Sequence, residues 1–113
     1  MQLENIAELV LLGTGGGPKI WASRSQPASA VIVNDDVYII DTGDGITAQL
    51  AKSNIDPSSI KAIFITHNHS DHVADYGTLL LRSWQSGHKG PINCFGPPPL
   101  KDMTLSYLKY IYF

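Results

Sequence analysis

Apolar residues fall in short runs separated by clusters of Gly, Pro, Ser and Asp, and the period of those runs changes along the chain. AELVLLG (7–13) is a short apolar run closed by glycine, the pattern of a buried strand. GTGGGPKIWASRSQPAS (13–29), with four glycines and two prolines, reads as a long loop. AVIVNDDVYIID (30–41) reads as two β-rich runs joined by a tight hairpin at Asn34-Asp35-Asp36. In TGDGITAQLAKSN (42–54) the period becomes helical: Ile46, Leu50 and Ala51 share a face, Asp44 lies near the N-cap, and Ser53-Asn54 mark the stop.

DPSSIKAIFIT (56–66) predicts a turn at Pro57 and a strand ending at Thr66. Tyr76, Leu79, Leu80 and Trp84 then carry helical spacing over 75–84, closed by SGHKG. PINCFG (91–96) is a further strand, PPP a rigid break, and 100–112 a final helix. Strands early and helices interleaved point to a mixed sheet with helices on one face, an α/β or α+β fold. The 113 residues fit one domain, 1–113.

Composition narrows the partners. The apolar fraction of 43% and charged fraction of 16% are ordinary for a globular domain. Net charge is −2 and the eight basic residues are scattered, so the electrostatic footprint of a nucleic-acid binder is missing. A polyanionic substrate stays open, because metal ions can supply the positive charge that side chains do not. One cysteine, Cys94, permits no internal disulfide and suits a reducing compartment. The first residues lack a basic segment and carry Glu4 and Glu8, and no apolar stretch is long enough to span a bilayer. The expectation is a cytoplasmic protein without a membrane partner. MTLSYLKYIYF (103–113) stops in an aromatic-rich amphipathic segment, read either as a terminal helix docked on the core or as part of a longer protein.

FITHNHSDHVAD (64–75) holds three of the four histidines, as His67-x-His69-x-Asp71-His72 directly after an expected strand. His67 and His69 are two apart, so in an extended segment both side chains point the same way. Asp71 and His72 follow in a tighter turn and can aim at a neighbouring point, which suits two adjacent metal ions. Imidazole and carboxylate are donors that Zn²⁺ favours, with a position left for water. Any one of these histidines alone is read more simply as a polar loop residue; the four together are not. His88, in SGHKG, reads as an exposed turn residue and not a ligand.

H-x-H-x-D-H after an apolar strand resembles the signature of the metallo-β-lactamase-fold hydrolases. YIIDTGDG, LLGTGGGP followed by SRSQPASAVIV, YGTLLLRSW and CFGPPPL resemble the branch containing ribonuclease Z and the arylsulfatase-like enzymes. The resemblance implies the first half of an αββα sandwich and a binuclear metal site. His67 and His69 would bind one ion, Asp71 and His72 the other, with Zn²⁺ expected and Mn²⁺ or Fe²⁺ as alternatives. Asp41 would support the site from behind by accepting a ligand's ring N–H; read from the residues alone it is a turn-forming Asp before Gly43. Histidine at 69, where the di-iron members of the family carry a carboxylate, favours hydrolytic zinc chemistry. The implied reaction is attack of a metal-bound hydroxide on a phosphodiester, sulfate ester or carboxylic ester, with Asp71 orienting the water or taking its proton. The substrate is then a small ester or phosphodiester, or RNA as in tRNA 3′-processing, and the enzyme can be a homodimer. The family's remaining ligands come from the following half of the fold, so this chain alone is expected to bind metal weakly or not at all and not to turn over. Two other readings are an inactive or interaction module on the same fold, and a nucleotide-binding domain using GTGGG. The second lacks the glycine of G-x-G-x-x-G at Pro18 and the helix that fold needs.

Overall fold

The computed structural model describes residues 6–110. Glu4 and the last residues of the expected final helix, 111 and 112, lie outside the described residues. Five strands, β1 (Ala7–Gly13), β2 (Ala28–Val33), β3 (Asp36–Ile40), β4 (Ile60–Phe64) and β5 (Asn93–Phe95), form one sheet in sequence order. The first three pair antiparallel; β3, β4 and β5 are parallel.

Local chemistry explains the switch. β2 and β3 are joined by Asn34 and Asp35 alone, at φ 50 and 69. Two left-handed residues make the turn whose twist matches paired strands, and Asn and Asp tolerate that region. Parallel neighbours need a crossover instead. α1 (Ile46–Lys52) and a 3₁₀ turn (Pro57–Ser59) lead from β3 to β4. α2 (Ser70–Val73) and α3 (Tyr76–Gln85) lead from β4 to β5, and α4 (Leu100–Tyr110) follows.

The helices cover one face. Leu12, Ala30, Ile39 and Ile63 on the strands pack with Ile46, Leu50, Tyr76, Leu79 and Leu100 in one buried cluster. Each fully buried Ile or Leu contributes roughly 1.5–3 kcal/mol over exposure, so this face holds the fold together. The opposite face is open. Leu11, Ser29, Ile40, Phe64 and Phe95 lie in register across it; Leu11 is 64% exposed and Phe95 53%. The Phe64 and Phe95 rings stack there at 5.2 Å.

Several details differ from the sequence reading. β2 begins at Ala28, inside the expected loop, and β4 ends at Phe64, although the Ile65 amide still donates to the Phe95 carbonyl at 2.8 Å. Gly45, at φ 96, is the N-cap of α1 in place of Asp44, and its N–H is satisfied by the Asp75 carboxylate at 2.7 Å. Ala51 is exposed. On α3 the inward position is Ser83, which donates to the Pro57 carbonyl at 2.6 Å, whereas Trp84 is 66% exposed. The reason is the period: 76, 79 and 83 follow 3.6 residues per turn, and 84 has rotated past the core. His88 is half-buried, and its Nε2 donates to the Ile60 carbonyl at 2.6 Å. A backbone acceptor at the start of β4, next to a register shift in the β3–β4 ladder, is thereby satisfied.

Candidate metal centre

In a sheet with parallel strands, a crevice opens beyond their carboxyl ends. Three segments meet there: 41–45 after β3, 65–75 after β4, and 96–99 after β5. The first two are stitched together. The Thr42 N–H and hydroxyl both donate to the His72 carbonyl, at 2.8 and 3.2 Å, and the Asp75 N–H donates to the Thr42 carbonyl at 3.0 Å. Asn68 ties in the third segment through Nδ2, which donates to the Pro97 and Pro98 carbonyls at 3.2 and 3.0 Å.

The buried carboxylate of Asp41 is the hub. Its Oδ2 accepts from His72 Nδ1 at 2.8 Å, its Oδ1 accepts from the Thr66 N–H at 2.8 Å, and the Thr66 hydroxyl lies 2.8 Å from Oδ2 and 3.0 Å from Oδ1. The Thr66 hydroxyl is also 3.0 Å from His67 Nδ1. Its single proton goes to the carboxylate, so it accepts from His67. His67 and His72 therefore both carry the proton on Nδ1 and keep their Nε2 lone pairs. That is how an outer carboxylate fixes the tautomer of a metal-binding histidine.

The four motif residues are brought together. The His67 ring lies 4.6 Å from that of His69 and 4.0 Å from that of His72, centroid to centroid. Asp71 is buried, its Oδ2 3.4 Å from His72 Nε2. Among the described residues, no three of His, Cys, Asp or Glu converge tightly enough to enclose one ion. The free Nε2 atoms and the imidazole and carboxylate donors fit divalent zinc-type ions better than the hard all-oxygen sites of Ca²⁺ or Mg²⁺.

Three partners were not anticipated: Thr66, Gly17 and Asp75. A hydroxyl residue directly before the first histidine was the available signal for Thr66. No local signal marks Gly17, whose N–H donates to Asp71 Oδ2 at 2.9 Å from 54 residues away. That bond brings the glycine loop to the site. The loop runs on into β2 and not into a helix, so it lacks the helix N-terminus a pyrophosphate needs. Cys94 lies elsewhere, in a groove of about 490 Å³ between α3 and α4 with Trp84, Ile92 and Leu108; burial pushes its thiol pKa up, against a smaller lowering by Tyr76.

The profile of the Metallo-beta-lactamase superfamily matches residues 23–108. The chain is 40% identical over 105 residues to Ribonuclease Z of Prochlorococcus marinus (strain MIT 9515), covering 92% of this chain and 34% of that protein. It is 38% identical over 108 residues to Ribonuclease Z of Oceanobacillus iheyensis, covering 90% and 34%. Among solved structures, the short form of human tRNase Z superposes with a TM-score of 0.79 at 30% identity, covering 93% of this chain and 40% of that one. The Bacillus subtilis metallo-beta-lactamase fold protein YhfI, at 18% identity and a TM-score of 0.75, shares the fold. The chain thus spans about a third of the length of the curated relatives it matches.

Proposed function

The chain belongs to the metallo-beta-lactamase superfamily, and from that premise we propose that it is the first half of a divalent-metal hydrolase domain that cleaves phosphodiester bonds in RNA. The observation that carries this is the Asp41 hub, which holds Nδ1 of His72 directly and Nδ1 of His67 through Thr66, leaving both Nε2 atoms for cations. The choice of RNA over small esters follows the relatives that match along almost the whole chain, each a Ribonuclease Z.

His67 and His69 would hold one ion, and Asp71 and His72 the second. Zinc bound there would polarise a substrate oxygen and acidify a water near neutral pH. Asp41 stands behind the histidines and fixes their aim. Asp71 Oδ2 is held by the Gly17 amide, so the other oxygen is the one that orients the attacking water or accepts its proton. The scattered basic residues leave charge neutralisation at the phosphate to the cations. The setting we propose is cytoplasmic.

Two ligand pairs, an open apolar sheet face and a third of the relatives' length support the half-domain part of the reading. Zinc content and bis(p-nitrophenyl) phosphate hydrolysis of the purified 113-residue chain test it: weak zinc and no turnover are expected, and tight stoichiometric zinc with turnover would overturn it. The substrate is tested by grafting these residues onto the remaining two-thirds of the Oceanobacillus iheyensis relative. The chimera should trim a precursor tRNA and lose at least a hundredfold in rate on His67→Ala. A chimera that hydrolyses small esters but not RNA would sink the RNA assignment.

A further inference from the structure

We propose that Gln26 is a positioning residue for Asp71, acting through the backbone of Gly17. The inference rests on the reading of Asp71 as a metal ligand. Gly17 donates its N–H to Asp71 Oδ2 at 2.9 Å, and the carbonyl of the same residue accepts from Gln26 Nε2 at 3.2 Å. Gly17 sits at φ 78, a conformation that leaves it easily displaced unless something holds both sides of it. Residues 14–27 form neither strand nor helix, and the neighbouring bond at the loop tip, Trp21 Nε1 donating to the Gly16 carbonyl at 3.0 Å, leaves the Gly17 carbonyl to Gln26.

Gln26 is fixed where Gly17 is not. Its N–H donates to the Asp44 carbonyl at 3.1 Å, and its neighbours close the loop's neck, with Gly15 N–H on the Ser25 carbonyl and Gly43 N–H on the Pro27 carbonyl, each at 2.9 Å. Gly43 allows this close approach, because a Cβ there would lie 2.5 Å from the Gln26 carbonyl carbon and 2.6 Å from the Asp71 carbonyl oxygen. The main chain of Gln26 is thus packed against the main chain of Asp71 through one glycine. From that anchored base, the Gln26 side chain reaches out and ties down the loop tip that grips the Asp71 carboxylate.

The consequence is rotational. A carboxylate with one oxygen on a fixed amide cannot swing freely about its last torsion, and its second oxygen is left uncommitted. Without the Gln26 amide, Gly17 drifts, and Asp71 Oδ2, 3.4 Å from His72 Nε2, loses the donor that holds it.

Gln26→Met keeps the side-chain length and removes the donor; Gln26→Glu replaces the donor with an acceptor facing a carbonyl. Both are compared with the parent chain and Asp71→Asn for Co²⁺ affinity by NMR, for thermal unfolding, and for hydrogen exchange of the Gly17 amide. We expect Co²⁺ binding weaker by roughly tenfold in either Gln26 variant at nearly unchanged melting temperature, the size seen for other outer partners of metal ligands. Gly17 exchange should also be at least tenfold faster. A lowered melting temperature with parental Co²⁺ affinity would mean a merely structural role and overturn the proposal. If Asp71→Asn weakens Co²⁺ and the Gln26 variants do not, the positioning role falls while the metal reading stands. If Asp71→Asn has no effect, or the parent shows no response at millimolar Co²⁺, the metal reading falls and the proposal with it. A Gly17 amide still protected in Asp71→Ala, which has no side-chain acceptor, overturns the link whatever the Gln26 variants do.

Discussion

Asp41 does two jobs that separate residues usually share. Its backbone, at φ 62, makes the turn that ends β3, and its buried carboxylate gathers Thr66 and His72. Asp is one of the few side chains that tolerates the left-handed region, so one residue both forms the turn and bonds the His72 ring. Thr66 is the more informative test, because it has no turn to make. Thr66→Val keeps the shape and removes the hydroxyl that accepts from His67 Nδ1. His67 in the parent should be the Nδ1–H tautomer by nitrogen-15 NMR. The variant should shift towards Nε2–H, with Co²⁺ binding weakened about tenfold and a stability loss of about 1–2 kcal/mol. An unchanged tautomer would remove Thr66 from the chain that sets the histidines. The donor types were legible because the four residues lie within six positions; their hydrogen-bond partners were not, because Asp41 is 31 residues from His72 and Gly17 is 54 from Asp71.

At the scale of elements, the signals that survived were those set by a few adjacent residues. Asn34 and Asp35 specify the β2–β3 hairpin by their tolerance of positive φ. Asp35 at φ 69 still carries a Cβ penalty that glycine would not, so Asp35→Gly should raise stability by about 0.4–1 kcal/mol in urea unfolding. A loss of stability would show that the Asp35 side chain holds the turn in some further way. What failed was phase and capping. Trp84 shares the roughly helical spacing of Tyr76, Leu79 and Leu80, yet the helix turns Ser83 inward instead, where its hydroxyl finds the Pro57 carbonyl. The acceptor that meets the N-terminus of α1 comes from Asp75, thirty residues on, so local sequence pointed to the nearer Asp44. His88 looked like a surface turn because its partner, the Ile60 carbonyl, is 28 residues away.

At the scale of the whole molecule, one face of the sheet is finished and the other is not. Leu9 and Leu11, 65% and 64% exposed, lie on the same open face as the stacked Phe64 and Phe95, and an exposed apolar face of this kind marks an interaction or packing surface. The folded chain should therefore enhance the fluorescence of the dye ANS, and the pair Leu11→Ser with Phe95→Ser should remove more than half of that signal. Enhancement that ignores these substitutions and disappears with Trp84→Ala would place the dye in the α3–α4 groove. The alternation of apolar and polar residues determined, by itself, which segments are strands and helices, and the contiguous H-x-H-x-D-H determined the donor set, because both are short-range properties. Only the tertiary structure decided that three parallel strand ends converge, that Asp41 and Thr66 set the tautomers of His67 and His72, and that the glycine loop grips Asp71. Each of these is a hydrogen bond or a close approach between distant parts of the chain. Its existence depends on where the backbone goes, which neither the periodicity nor the motif specifies.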